Sequence, residues 1–338
     1  LDSIKDKRRV LYTGAYNSLQ VEPLDLDWDT RVNMFVKTEK FDVRAKVNPD
    51  PRAIQSWGPR ANLVLFQYLR PFEHILYRRV DNFGLRLFAK GLNTWERAAL
   101  IRQKFEVFND TVAFSVDCSR WDQHISELVL QIEHSVYQSN YPADYLLQAL
   151  LSKQRLNKAK SRLGVKYTSV GCRMSGHPNT ACGNCLLMSI MVESVIDMRF
   201  ATYLDDGDDC LIFVPGELVE VFQGELVRKF AEFGQDLKIE NVAKNPSEVV
   251  FCQSKMVCIG RGNEAKWRMV RNPYKVMSHG TSGVKHWINL KLIRPMMNAV
   301  GSCELACAAG VPVLQAYALA LKRMSRDERL KWLDVESS

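Results

Sequence analysis

The 338-residue sequence predicts an α+β fold, and three observations carry that prediction. A β-branched and aromatic run, Thr111-Val-Ala-Phe-Ser-Val116, ends on Asp117 and is followed by apolar residues at helical spacing, which reads as strand, turn, helix. Two more strand patterns, 198–204 and 210–214, flank Asp205-Asp-Gly-Asp-Asp209, and a short Asp-Gly turn between strands signals a hairpin. Beyond residue 253 the chain reads as mostly helical.

Taken in order, residues 1–60 are dense in charge and turn formers. The X-Pro steps Asn48-Pro49 and Asp50-Pro51 favour extended backbone, so irregular strands and loops are expected. From Leu63 to Val80 apolar residues recur at helical spacing (Leu65, Tyr68, Leu69, Phe72, Ile75, Leu76), with Pro71 kinking or splitting the helix. Ile125, Leu128, Val129, Ile132 and Val136 mark one face of the helix that follows the first strand. A turn at Ser175-Gly-His-Pro178 opens another helix, whose stripe of Leu187, Met188, Met191 and Val192 reads as core. Leu218–Phe233 is a helix with a charged outer face, and Val249–Cys252 is a short strand. The longest apolar stretch, Leu305–Leu321, is interrupted by Gly310, Pro312 and Gln315; a buried core helix fits it better than a membrane span.

With 46% hydrophobic and 25% charged residues, the composition excludes a disordered or fibrous chain, and the length suits about two domains. A net charge of +8 favours a polyanionic partner, although a soluble basic enzyme accounts for it too. Nine cysteines, an odd number with no signal peptide ahead of them, point to free thiols in a reducing compartment. Cys182-Gly-Asn-Cys185 has zinc-like spacing but no second Cys or His pair at a usable distance. The chain starts at Leu1 and is expected to be a fragment or processed piece. Between Tyr145 and Val192 there is no acid, whereas Lys153, Arg155, Lys158, Lys160, Arg162, Lys166 and Arg173 all fall there. That tract is expected to face phosphate, with a solvated face as the alternative.

Four acids at 205, 206, 208 and 209 crowd the hairpin tip, and their repulsion is costly unless cations neutralise it. A hard divalent ion such as Mg²⁺ takes one or two carboxylates and fills its shell with phosphate and water. Asp117, at the end of its own strand, is followed four residues on by a second acid, Asp122. If the two strands are neighbours, Asp117 and Asp208 converge and can share two ions, as in-line phosphoryl transfer requires. An acidic surface turn remains the alternative for the hairpin taken alone.

Asp117-Cys-Ser-Arg-Trp-Asp122, Ser175-Gly176 with Thr180 and Asn184, and Gly207-Asp208-Asp209 occur in this order and resemble motifs A, B and C of positive-strand RNA virus RNA-dependent RNA polymerases. Phe35-Val-Lys-Thr-Glu-Lys40, Asp50-Pro-Arg-Ala-Ile-Gln55, Gly171-Cys-Arg-Met-Ser-Gly176, Phe251-Cys-Gln253 and Cys303-Glu-Leu-Ala306 resemble the tombusvirus-like branch. The resemblance implies a right-hand polymerase with a palm of RRM-like antiparallel sheet. Fingers would comprise 1–110, N-terminally incomplete and with motif F at about 37–60, together with an insertion at 126–170. The palm would comprise 111–125 and 171–252, and a helical thumb 253–338.

The resemblance also implies residue roles. Asp117 and Asp208 become the carboxylates for two Mg²⁺ or Mn²⁺ ions, with Asp209 a neighbouring acid of lesser role. Asp122 and Asn184 become the pair that recognises the ribose 2′-hydroxyl, assisted by Ser175 and Thr180, with Gly176 allowing close approach of template or nucleotide. Arg52 stands where the motif F arginine meets the triphosphate, and Lys37, Lys40 and Lys46 line the same channel. Lys244 falls where motif D supplies a general acid, with Lys238 its competitor. Template and product RNA, rNTPs and other viral replication proteins are the implied partners. A membrane-attached complex in the host cytoplasm is the implied location, without direct membrane insertion by this segment. Asp206 and Trp121 depart from the residues common in plant tombusviruses, Asn and Phe. Two rival readings are a reverse transcriptase-like polymerase, from Tyr203-Leu-Asp-Asp206, and a catalytically inactive RNA-binding replication scaffold.

Overall fold

The computed structural model describes residues 6–40, 49–260, 262, 265–283, 287, 289–326 and 328. It is a mixed helix and sheet structure, as expected. The chain divides into two compact units, one of residues 1–39, 43–91 and 104–244, the other of 40–42, 92–103 and 245–338.

The first unit begins with α1 (Asp6–Val21), where irregular structure was expected. This helix lies largely on the surface and has almost no apolar period to betray it; Tyr12 packs edge-on against Phe66, ring centres 6.0 Å apart. The Asp25 carboxylate caps α2 (Leu26–Asp29) by accepting from the backbone N–H of Asp27 and Trp28. Then come β1 (Val32–Val36), β2 (Ala53–Ser56) and α3 (Pro59–Leu76). Pro59 starts α3 at a position that needs no N–H, and Pro71 is carried inside the helix without splitting it. After α4 (Thr94–Phe105), most of which belongs to the second unit, the first unit continues with β3 (Thr111–Ser119), α5 (Trp121–His124), α6 (Glu127–Asn140) and α7 (Tyr145–Arg155). They are followed by β4 (Leu156–Ser161), β5 (Lys166–Val170), α8 (Thr180–Val195), β6 (Thr202–Asp205), β7 (Cys210–Pro215), α9 (Val219–Glu232) and β8 (Asp236–Ala243).

Two sheets organise this unit. One has the order β6-β7-β3-β8, antiparallel throughout; the other has the order β2-β1-β4-β5, with β1 and β4 parallel. Every residue of β3 from Thr111 to Val116 is buried, as befits a strand with a neighbour on each side. Helix α8 is buried from Cys182 to Ser189 irrespective of face, which makes it the central core helix; Cys182 and Cys185 belong to that core. The buried face of α6 is only partly the expected one: Ile125 and Val129 are buried and Val136 packs against the core, but the rest differs. Leu128 and Ile132 are exposed, while Leu130, Glu133, His134 and Tyr137 point inward.

The second unit holds β9 (Val250–Phe251), β10 (Ser254–Ile259), β11 (Lys266–Arg271), α10 (Pro273–Gly280), α11 (Leu290–Ala308) and α12 (Pro312–Ser325). This segment is mostly helical, as expected, but it also carries the β10–β11 ladder, which was not foreseen; the ladder's alternation is short and its apolar side is covered by only a small core around Val270, Val276, Ala308 and Leu314. The stretch 305–321 is likewise two helices rather than one. Gly310 takes a left-handed φ of 88° between α11 and α12, and Pro312 opens the second. Residues 92–103, grouped with residues 1–110 in the sequence reading, belong to this unit.

Lys104, wholly buried in the first unit, donates to Asp81 at 2.9 Å and to Thr202 at 2.6 Å. Burial outweighs the attraction of Asp81 and pushes the Lys104 amine down to about 8. Removing one member of such a pair strands the other charge, so Lys104→Met is expected to cost about 3–5 kcal/mol, read from the midpoint of urea unfolding.

Candidate active site

The sheet register places the acids. β3 pairs with β7 so that Val116 lies opposite Cys210, which brings Asp117 level with the 206–209 turn of the β6–β7 hairpin. On its other side β3 pairs with β8, and a register shift after Ser115 leaves Asp117 opposite Lys238. A bulge there re-aims the strand next to the hairpin tip. Burial and then the charge of Asp208 raise the Asp117 carboxyl above its ordinary value, and Lys238 partly offsets this.

The four hairpin acids are not equivalent. Asp205 is fully buried and its Oδ1 accepts from the Gly207 N–H at 2.6 Å, while burial pushes its carboxyl well up, towards the neutral acid. Asp206 is paired with Lys90, Nζ to Oδ1 2.7 Å, and the same ammonium donates to the Asp206 carbonyl at 2.7 Å. The backbone carbonyl of Asp209 accepts from Asp206 N–H and closes the turn, while Gly207 holds a φ of 112° that side chains rarely adopt. Asp208 is left exposed, and its charge is the one that reaches Asp117.

Beyond β3, Arg120 takes a left-handed φ of 53° and turns the chain into α5, which carries Asp122. Asn184, on α8, donates through Nδ2 to Asp122 Oδ1 at 3.0 Å. Burial raises the Asp122 carboxyl; the Asn184 hydrogen bond and the Arg173 charge pull it back, and the charges of Asp208 and Arg52 also reach it. Asp117, Asp208, Asp122, Asn184 and Arg52 therefore share one electrostatic neighbourhood.

Other residues singled out from the sequence are placed differently. Ser175 and Thr180 donate their hydroxyls to backbone carbonyls, Ser175 to Ala53 at 2.9 Å and Thr180 to Met174 at 2.9 Å. A side chain at Gly176 would meet Ser56 Cβ at 2.6 Å and Gln55 O at 2.8 Å, so the close approach that requires glycine is to β2. Arg52 and Lys37 both pair with Glu39, at 3.1 and 2.8 Å. Lys40 lies in the second unit and donates to the His279 carbonyl. Lys46 falls outside the described residues. Lys244 follows Ala243, which is paired with Ala113, four residues along β3 from Asp117; Lys238 is the lysine directly across from Asp117.

The basic tract finds counter-charges far away in sequence. Lys153 pairs with Asp27 at 2.6 Å, Arg155 with Glu127 at 3.7 Å, and Arg173 with the buried Glu133. Lys158, Lys160, Arg162 and Lys166 remain exposed on the β4–β5 hairpin, with Lys160 opposite Lys166 in register. Reading the sequence missed Lys90 and the Arg173–Glu133 pair. Glu133 did leave a signal: it lies four residues from both Val129 and Tyr137, on a buried stripe where an unpaired carboxylate is not tolerated.

For a metal, the hard-oxygen pair Asp117 and Asp208 is the fitting donor set. Their mutual repulsion is what a divalent cation relieves, and Mg²⁺ needs only one or two protein carboxylates. Among the described residues no three His, Cys, Asp or Glu side chains form a closed cage.

The family model for viral RNA-dependent RNA polymerase matches residues 1–338. The chain belongs to that family. It is 36% identical to the RNA-directed RNA polymerase of turnip crinkle virus over 98% of this chain and 43% of that protein. The corresponding enzyme of oat chlorotic stunt virus is 34% identical over 96% of this chain and 44% of its own length. That of tomato bushy stunt virus (strain Cherry) is 37% identical over 90% and 38%. The chain spans about two fifths of the length of these curated relatives. Membership in this family overturns the reverse-transcriptase reading.

Because Asp205 is fully buried and uses Oδ1 to accept from the Gly207 N–H, and burial favours its neutral form, Asp205→Asn is expected to keep the Gly207 contact and cost little. Asp205→Ala strands that N–H and is expected to cost about 1–3 kcal/mol more in urea unfolding.

Proposed function

We propose that this chain is the catalytic segment of an RNA-directed RNA polymerase, transferring nucleotides from rNTPs to the 3′-hydroxyl of RNA on an RNA template. The observation that carries this reading is the shared neighbourhood of Asp117 and Asp208 with the hydrogen-bonded pair Asp122–Asn184. The 3′-oxygen attacks the α-phosphorus of the incoming nucleotide, the new phosphodiester forms, and the bond to pyrophosphate breaks. Asp117 and Asp208, with Asp209 nearby, would hold two divalent ions, Mg²⁺ or Mn²⁺, whose chemistry when bound would be activation of the attacking hydroxyl and neutralisation of the leaving group.

The chain's own residues do the rest. Asp122 uses one carboxylate oxygen on Asn184 and offers the other to a ribose 2′-hydroxyl, so a deoxy analogue leaves buried polar groups unpaired. Arg52 and Lys37, held together on Glu39, are the cations for the triphosphate. Lys238, beside Asp117, is better placed than Lys244 to give a proton to pyrophosphate. In the right-hand scheme, the palm and fingers would correspond to the first unit together with residues 40–42, 92–103 and 245–252 of the second, and residues 253–338 would form the thumb. The exposed lysines of the β4–β5 hairpin suit RNA phosphates. No helix among the described residues is long and apolar enough to cross a membrane, and attachment to a membrane-bound replication complex in the host cytoplasm is assigned to other viral segments or proteins.

Incorporation of radiolabelled NTP on a homopolymer template, with Mg²⁺ or Mn²⁺, tests this reading. Asp208→Ala is expected to abolish synthesis without lowering the thermal midpoint, since it removes a repulsion; full incorporation would reject the assignment. Salt-sensitive RNA binding with no synthesis by the unaltered chain would favour the scaffold reading. Asn184→Ala is expected to lower the preference for rNTP over dNTP by at least about tenfold in competition assays, with template binding little changed.

A further inference from the structure

Behind Asn184 lies a set of polar groups, buried from solvent, that reaches the proposed nucleotide site only through Asn184 and the backbone of Asp122. Arg173 is only 3% exposed and Glu133 is 0% exposed. The Arg173 Nη1 donates to Glu133 Oε1 at 3.0 Å, and Nη2 donates to Glu133 Oε2, a two-pronged grip. Glu133 Oε1 also accepts from the Tyr137 hydroxyl and from Asn179 Nδ2, both at 2.8 Å, and Gln154 donates to Asn179 Oδ1 at 2.8 Å. The guanidinium is thus held in one orientation, with its Nε directed at Asn184 Oδ1 at 3.0 Å. The Arg173 backbone N–H donates to the Asp122 carbonyl at 2.7 Å, which ties the same residue to the turn that carries Asp122. Room for the grip depends on α8: a side chain at Gly183 would fall against Glu133 Oε1 and 2.7 Å from Arg173 Nη2.

The consequence lies in the handedness of an amide. Asn184 can present either oxygen or nitrogen to Asp122, and only nitrogen is compatible with a carboxylate. With Nε–H of Arg173 occupying the oxygen side, the reversed amide would set donor against donor at Arg173 and oxygen against oxygen at Asp122. We propose that Arg173, clamped by Glu133, is a positioning residue that fixes the orientation of the Asn184 amide and thereby the discrimination of ribose from deoxyribose. The inference rests on the polymerase reading above and deepens it: neither residue touches substrate, and both act through Asn184.

The test compares kcat/KM for an rNTP and its 2′-dNTP in the full chain, for Asn184→Ala, Arg173→Lys, Glu133→Gln and the double variant Arg173→Lys/Asn184→Ala. Arg173→Lys keeps the charge but loses the Nε donor, and it is expected to lower the ribo/deoxy ratio by about tenfold, chiefly through a higher KM for the rNTP. Glu133→Gln, which loosens the grip while retaining its shape, is expected to lower the ratio in the same direction. In the Asn184→Ala background Arg173→Lys is expected to change the ratio no further, whereas a merely structural role would add its loss in both backgrounds. Arg173→Lys and Glu133→Gln leaving the ratio intact while Asn184→Ala lowers it would overturn this inference alone. An unchanged ratio in Asn184→Ala would overturn the ribose reading on which it rests. Loss of the folded state in both Arg173→Lys and Glu133→Gln, seen by thermal melting, would also overturn it, since the pair would then serve folding rather than selection.

Discussion

The site depends on one enforced repulsion: two carboxylates, Asp117 and Asp208, held in electrostatic contact by backbone pairing that their charges oppose. The pairing prevails because β3 is a central strand, hydrogen-bonded on both sides and buried from Thr111 to Val116, whereas the repulsion acts at its half-exposed end. At an effective dielectric suited to a protein surface, two such charges oppose each other by a few kcal/mol at most. A strand of six buried residues, several of them aliphatic or aromatic, buries enough apolar surface to outweigh that. The fold can therefore keep an unneutralised pair of acids at the sheet end, open to cations.

The neighbouring charges show that the repulsion is selective. Asp205 is withdrawn as a buried acid, Asp206 is neutralised by Lys90, and Asp122 is stabilised by Asn184 with Arg173 behind it. Lys238, opposite Asp117 in the register of β8 and paired with Asp236 at 3.8 Å, offsets the rise at Asp117 only in part. A sequence with four clustered acids thus becomes a site in which the charge of one of them, Asp208, acts on Asp117, and the local charge is set by residues distant in the chain.

What the sequence made legible follows from the range of the interactions involved. β3, the β6–β7 hairpin and α8 are short-range features, written in alternation, an Asp-Gly turn and a continuous apolar run, and they appear where expected, except that β6 begins at Thr202 rather than Met198. The order of Asp117, Asn184 and Asp208 was readable for the same reason. Partners across the fold were not. Nothing local says that the acid-free tract from Tyr145 to Val192 borrows Asp27, Glu127 and Glu133, or that Gly176 is reserved for contact with β2. The face of α6 was partly misjudged because Leu128 and Ile132 are apolar yet exposed, and the helix turns a carboxylate inward instead. α1 and the β10–β11 ladder escaped because one is a mostly polar surface helix and the other a short ladder over a small core.

That inward carboxylate bears on why the polar core exists. A buried ion pair repays its desolvation only with good geometry and full hydrogen bonding, and well-packed apolar residues of similar volume often do as well or better by about 1–4 kcal/mol. Stability alone therefore gives little reason to keep Arg173 and Glu133 beneath α8, still less to spend Gly183, a poor helix former, on making room for them. Direction is what an apolar core cannot supply. A leucine at 173 could fill the space but could not favour one face of the Asn184 amide over the other. The Lys104–Asp81 pair makes the contrast within the same unit: its lysine also donates to Thr202, which is not one of the residues of the acidic site. Of the two buried pairs, the one beneath α8 is the one whose geometry continues, bond by bond, into Asp122.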